Sequence, residues 1–258
     1  MIEEIAMKEF EIWSDSFREG RFFAELLQNN FQIINIEYKY NFLPIYYFTN
    51  KSKEFQFKVV VFGDYTSWDP IPEKVETLLE MGKPDMIMYD PLSDNILLAI
   101  EETAAVPTGN QGLQRLERVW HASELGIPFV YIMGQYGLHI DGGIRTNSIW
   151  PGYLGLKLSL QYCIPSLNLQ YGSITNPEDI SYGEGFDLLS KFIAVYVYQF
   201  LGSPVNKQSF KDLLKIIYKT MGEFINQQAD KITTYLPARE LLTKDEFLEI
   251  LTDRIKYE

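Results

Sequence analysis

The order of apolar segments between residues 55 and 137 constrains this chain more than any other feature. FQFKVVVFGDY, residues 55–65, runs three valines into a Gly-Asp break and reads as a buried strand. Pro70 and Pro72 then suit the first turn of a helix running EKVETLLEMG, closed by Gly82. MGKPDMIMYD, residues 81–90, is a short apolar strand opening with Pro-Asp, and NILLAIEETA, residues 95–104, is a second one. The turn between them, PLSDN, is too short for a parallel crossover, so the two strands form a hairpin. Pro107 and Gly109 break the chain before NQGLQRLERVWHASELG, residues 110–126, which reads as a helix ending at Gly126. IPFVYIMGQYG, residues 127–137, is another buried strand. Such alternation of strand and helix argues for an α/β sandwich around a mixed sheet.

The flanking segments are read with the same rules. Residues 14–29 read as a helix, with Ser14 as N-cap and Phe17, Phe22, Phe23, Leu26 and Leu27 at helical spacing. FQIINIEYKYNFLPIYYFTN is rich in β-formers and holds one or two strands. DGGIRTNSIWPGYLG reads as a Gly-rich loop and LQYCIPSLNLQYG as a further strand. GFDLLSKFIAVYVYQFLG, residues 185–202, has the composition of a buried helix, and SFKDLLKIIYKTMGEFINQQADK is more amphipathic. LTKDEFLEILTDRIKY reads as a terminal helix, with Thr243 as N-cap and Glu246 completing a capping box. The expectation is one domain over 1–258, with a core at about 14–170 and a helical C-terminal portion at about 183–258.

Composition narrows the function classes. The chain has 46% hydrophobic residues, enough for a substantial core, so a disordered chain is excluded. The start MIEEIAMKEFEIW lacks the pattern of a secretory signal, and no apolar run reaches the ~18 residues of a membrane span. The single cysteine, Cys163, sits in an apolar setting and reads as a structural thiol; with no disulfide available, a cytoplasmic, membrane-free protein is expected. His121 and His139 are too far apart in sequence to suggest a zinc site, and GNQG and DGGI lack the lysine spacing of a phosphate loop. The net charge of -12 opposes unaided binding to a phosphate backbone, although a metal site itself requires clustered acids.

Asp85 and Glu101 are the candidate chemistry. In a hairpin the start of one strand lies beside the end of its partner, so these two carboxylates should be neighbours. Both adjoin strongly apolar runs, where a charge is costly unless a cation or hydrogen bond meets it. Magnesium takes hard oxygen ligands and keeps several waters, so two or three carboxylates on adjacent strands suffice to hold it.

With Pro84-Asp85, the sixteen-residue step to Glu101 and the helix and strand that follow, the sequence resembles the PD-(D/E)xK nuclease superfamily, which includes many type II restriction endonucleases. The resemblance covers roughly residues 14–137. It implies a restriction-endonuclease-like α/β/α sandwich and Mg²⁺-dependent hydrolysis of DNA phosphodiester bonds, with Mn²⁺ able to substitute. Asp85 and Glu101 would be metal ligands, and Glu25, in the first-helix pattern REGRFFAELL, a further one. A homodimer is the expected assembly. The lysine usual two residues beyond the Glu is replaced by Thr103, which can hydrogen-bond a water but carries no charge. Lys83, Gln111, Gln114 and Arg115 are the candidates to substitute, Gln114 and Arg115 foremost. Glu102 should point to the opposite face from Glu101 if the strand is regular, and Asp64 is another carboxylate that could approach the site. Two other functions stay open: a nuclease-like fold that binds nucleic acid or protein without cutting, and an RNA endonuclease.

Overall fold

The computed structural model describes residues 7–103, 114–134, 136–138, 144–146, 148–171, 184–228, 240–253 and 255. Its centre is an eight-stranded mixed sheet. In chain order the strands are β1 (Lys8–Ser14), β2 (Phe31–Lys39), β3 (Leu43–Asn50), β4 (Gln56–Gly63), β5 (Met86–Asp90), β6 (Asn95–Thr103), β7 (Phe129–Gly134) and β10 (Ser166–Tyr171). In space they run β10-β7-β6-β5-β1-β4-β3-β2. A separate two-stranded ribbon pairs β8 (Tyr136–Leu138) with β9 (Ile144–Thr146).

The expected hairpin is present: β5 and β6 are antiparallel, with Met86 opposite Ile100 and Ile87 opposite Ala99. Its one register shift lies at Met88/Tyr89, away from the acidic end. β6 then runs parallel to β7, as a strand–helix–strand crossover requires.

Helices cover both faces. Helix α1 (Phe17–Leu27), α5 (Glu184–Leu201), α6 (Lys207–Gln228) and α7 (Asp245–Thr252) share one apolar core with Phe10, Ile12, Val59, Val61, Met86, Leu98, Ile100 and Val130 of the sheet. The alternate residues Trp13, Ile87, Tyr89, Ala99, Phe129 and Tyr131 face the opposite way. They pack there with α2 (Glu73–Glu80), α3 (Leu116–Glu124) and a 3-10 turn at Tyr65–Ser67. Helix α4 (Trp150–Tyr162) closes the β10 edge and contacts both α3 and α6. The period-2 alternation of the strands thus splits the core into two layers, one on each side of the sheet.

Several local expectations are corrected. The first helix begins at Phe17 with Ser16 as its N-cap, accepting from the Glu19 amide. Ser14 instead ends β1, its hydroxyl buried against the Ser16 and Phe62 carbonyls. Strand β1 itself was not expected, yet it lies in the middle of the sheet, parallel to β4 and antiparallel to β5. The Gly-rich stretch around residue 150 is helical from Trp150, because Gly155 lets α4 close on β10: a Cβ there would stand 2.6 Å from the Ser166 carbonyl oxygen. Cys163 is exposed just past that helix rather than enclosed. The terminal helix has Lys244, not Thr243, at its N-cap, and the Thr243 hydroxyl donates back to the Glu240 carbonyl.

Candidate functional site

The acidic end of the β5–β6 hairpin is built by the strand register. Because Met86 pairs with Ile100, Asp85 arrives beside Glu101 one step further on. The approach to Asp85 is fixed by its backbone. The Asp85 carbonyl accepts from the Asp15 amide at 3.0 Å, and the buried Tyr65 hydroxyl donates to the Pro84 carbonyl at 2.6 Å. One carboxylate oxygen, Asp85 Oδ2, accepts from the Glu102 amide at 2.6 Å, which locks the side chain across to β6.

Glu101 is completely buried and Asp85 nearly so. Two arginines of the next helical segment meet them. Arg118 Nη1 lies 2.6 Å from Glu101 Oε2 and 4.0 Å from Asp85 Oδ1, so both carboxylates converge on one guanidinium nitrogen. Arg115 Nη1 stands 2.8 Å from Glu101 Oε1. Its N–H groups are directed to the Thr103 hydroxyl and, at 3.3 Å, the Glu102 carbonyl, which leaves Glu101 Oε1 without a hydrogen bond. Arg118 Nε is also buried without an acceptor. Arginines three residues apart fall on one helix face, which is why both reach the same pair of acids.

The electrostatics follow from burial. Desolvation pushes the Asp85 carboxyl up to about 8, and the neighbouring Glu101 charge pushes in the same direction. Glu101 is pushed up to about 7 by burial, against the pull of Arg118 and Arg115. Two guanidinium groups therefore do not fully compensate two buried carboxylates.

The remaining candidates separate clearly. Thr103 is buried, its hydroxyl accepting from Arg115 with Tyr131 Oη 3.4 Å away. Gln114 is exposed in the turn before α3, and Lys83 is exposed. Glu25 is also exposed, on the side of α1 that faces Tyr46. The first-helix acid whose charge reaches Asp85 and Glu102 is Glu19, which has one buried carboxylate oxygen without a hydrogen bond. Helical phase explains the substitution: Glu19 falls in the first turn, nearest the end of β1, whereas Glu25 is more than a turn further along. Glu102 points to the other face as a regular strand requires, where the Tyr171 hydroxyl lies 3.3 Å from it and donates to the Thr103 carbonyl at 2.8 Å. Asp64 is a turn residue with φ of 59°, bonded by Thr66 and Ser67. His121 packs against the Thr77 carbonyl. Gln111 and His139 lie outside the described residues.

Sequence reasoning missed Arg118 and Glu19. The spacing Arg115-x-x-Arg118 was a usable signal for the first. Gly82 makes room for that side chain beside the Pro84-Asp85 segment, since a Cβ there would stand 2.7 Å from Arg118 Cγ, a contact only the structure shows.

Among the described residues, no group of three or more His, Cys, Asp or Glu side chains stands close enough to hold a metal ion. The oxygen set at this end of the sheet is two carboxylates and the Glu102 carbonyl, now facing two arginines. Such hard oxygens, buried and with Glu101 Oε1 lacking a hydrogen bond, fit a magnesium ion that keeps several waters. No helix among the described residues is long and apolar enough to cross a membrane.

Comparison with known proteins adds little. No family model matches the sequence, and no curated protein does. The solved cytosolic domain of the T. maritima FeoB iron transporter, in its GMPPNP form, aligns with 96% of this chain and 98% of its own. The identity is 11% and the TM-score 0.30, and a likeness of that degree carries no argument about this chain.

Proposed function

We propose that the chain is a Mg²⁺-dependent endonuclease that hydrolyses DNA phosphodiester bonds, of the restriction or defence type, on a restriction-endonuclease-like α/β/α core. The observation that carries this reading is the convergence of Asp85 and Glu101, both buried and on the same face of the sheet, at a single guanidinium nitrogen. Two buried carboxyl groups at 4.0 and 2.6 Å from one cationic nitrogen are expensive to ionise together, and a bound divalent cation would supply the charge that makes them carboxylates.

Asp85 and Glu101 would hold the magnesium, with the Glu102 carbonyl beside them. Bound there, the ion would polarise the scissile phosphate and lower the pKa of an attacking water. Thr103 has a different task from the lysine it replaces. Its hydroxyl fixes Arg115, so the positive charge comes from the helix instead of the strand. Arg115 and Arg118 then offer planar donors to the non-bridging phosphate oxygens, where charge accumulates as the water oxygen bonds phosphorus and the ester oxygen departs. Two arginines also offset, at this one place, the net charge of -12.

Plasmid DNA incubated with the protein and Mg²⁺, with and without EDTA, tests the reading. Cleavage should require the metal and fall by at least about a hundredfold in Asp85→Ala and Glu101→Ala. Folded variants that cut like wild type would refute the assignment. A parallel RNA substrate separates a ribonuclease from a deoxyribonuclease.

One observation favours a second reading, a nuclease-like fold that binds without cutting: Glu101 already has two arginine partners. Under it, calorimetry would give no Mg²⁺ heat while a DNA complex still formed.

A further inference from the structure

A cavity opens on the same sheet face as the carboxylate pair but at the far end of β5. It measures about 570 Å³, within the range of small-molecule sites, and lies between β1, β4, the β2–β3 turn and the segment leading into α2. Its walls are aromatic. Trp13 and Phe62 come from neighbouring parallel strands and stack with ring centroids 4.4 Å apart. Trp68 stands perpendicular to Phe62, at 88° and 5.0 Å, and Tyr89 and the exposed Tyr40 add further rings.

The polar groups of this cavity are one-sided. The Trp13 indole N–H donates to Glu11 Oε2 at 2.7 Å, and the Trp68 indole N–H to the Gly63 carbonyl at 2.7 Å. The Tyr89 hydroxyl donates to Asp94 Oδ1 at 2.7 Å. With these donors used internally, the walls present ring carbons and the carboxylates of Glu11 and Asp69. The one cationic side chain of the lining, Lys39, is exposed at the rim and lies over the Tyr40 ring at 5.2 Å. A neutral heterocycle needs donors as well as acceptors from its site; an organic cation needs only ring faces and negative charge.

We propose that this cavity is a binding site for a small organic cation of the quaternary or alkylated ammonium class, held against the partly exposed Trp68 and Phe62, with Trp13 buried behind them and Glu11 as counter-charge. Burial raises the Glu11 carboxyl above its ordinary value, and a resident cation would reverse that shift. The ring arrangement leaves no slot for a flat base, since the parallel pair Trp13 and Phe62 stack directly on each other and Trp68 packs edge-on against Phe62, so a ligand meets the rings from the open side. The site does not depend on the nuclease reading, because it shares none of the residues assigned to it.

Trp13 and Trp68 are two of the four tryptophans in the chain, so intrinsic fluorescence reports on the cavity. Choline should produce a saturable fluorescence change. Its neutral isostere 3,3-dimethylbutan-1-ol, and the nucleosides adenosine and cytidine, should bind at least about tenfold more weakly. The isosteric Glu11→Gln variant should lose about tenfold in choline affinity, and Trp68→Ala more, with far-UV circular dichroism confirming that each is folded. No saturable response to choline, equal binding of the neutral isostere, tighter binding of a nucleoside, or unchanged affinity in folded Glu11→Gln would each overturn the proposal.

Discussion

Replacing Arg118 by methionine should expose how strained the carboxylate pair is without a cation. The substitution keeps much of the apolar stem but removes the nitrogen that lies 2.6 Å from Glu101 Oε2 and 4.0 Å from Asp85 Oδ1. Breaking a buried ion pair from one side costs about 3–5 kcal/mol. Because the Arg118 side chain retains 23% exposure, the lower end, about 3 kcal/mol, is the appropriate figure. For a chain of this size that corresponds to a melting temperature lowered by roughly 6–12 °C. The loss must also depend on pH. Glu101 titrates at about 7 in the folded protein, above its ordinary value, so at pH 5 it is largely protonated and the pair contributes little. Above pH 7 the wild-type carboxylate ionises against Arg118, whereas in the variant the lost guanidinium leaves Glu101 raised further, so the deficit grows as pH rises. Thermal denaturation at pH 5, 7 and 8.5, with and without Mg²⁺, reads all of this. The deficit should widen with pH, and Mg²⁺ should restore more stability to the variant than to wild type, since the ion no longer competes with Arg118. A melting temperature lowered equally at pH 5 and 8.5, or no change at all, would refute the reasoning.

Three further outcomes follow from the same geometry. Asp85→Asn should raise stability at pH 7: a carboxyl whose folded pKa is about 8 favours the folded state below its unfolded value near 4 and loses that contribution as pH rises to 8, and the amide removes the titration, so the wild-type decline between pH 4 and 8 should flatten in denaturant melts. Thr103→Val should leave the fold intact but release Arg115, lowering plasmid cleavage about tenfold in kcat with little change in KM. If two copies associate, β2 is the place: it is the last strand of the sheet among the described residues, and Ile36 and Tyr38 stand 42% and 60% exposed on it, so Ile36→Lys should shift sedimentation from dimer to monomer, whereas a dimer unaffected by it would rule the edge out.

Much of the scaffold around the candidate site was legible in the sequence, for physical reasons that can be named. The β5–β6 hairpin follows from two apolar runs joined by a turn too short for anything else, and β7 from an uninterrupted apolar run after Gly126. Strand β1 was not legible, since KEFEIWS alternates over too few residues to stand apart from the helix that follows, and its pairing with β4 and β5 is a long-range property. The same limit displaced the first-helix acid. Glu25 was named from the pattern REGRFFAELL, which does not say which turn of the helix packs beside the hairpin; the acid whose charge reaches Asp85 is Glu19, in the first turn. Arg115 could be named because it lies close after Glu101. The Arg115-x-x-Arg118 spacing offered Arg118 as a candidate, but that it meets Asp85 and Glu101 depends on how closely α3 packs on the segment at Gly82, a long-range property.

The account rests on Asp85 and Glu101 acting as one cation site, and a crystal soaked in Mn²⁺ with data collected at the manganese edge addresses that directly. It predicts an anomalous peak roughly 2.0–2.3 Å from an oxygen of each carboxylate, with Arg118 moved off Asp85. Well-ordered carboxylates with no peak between them, and Arg118 still bridging the two, would contradict it.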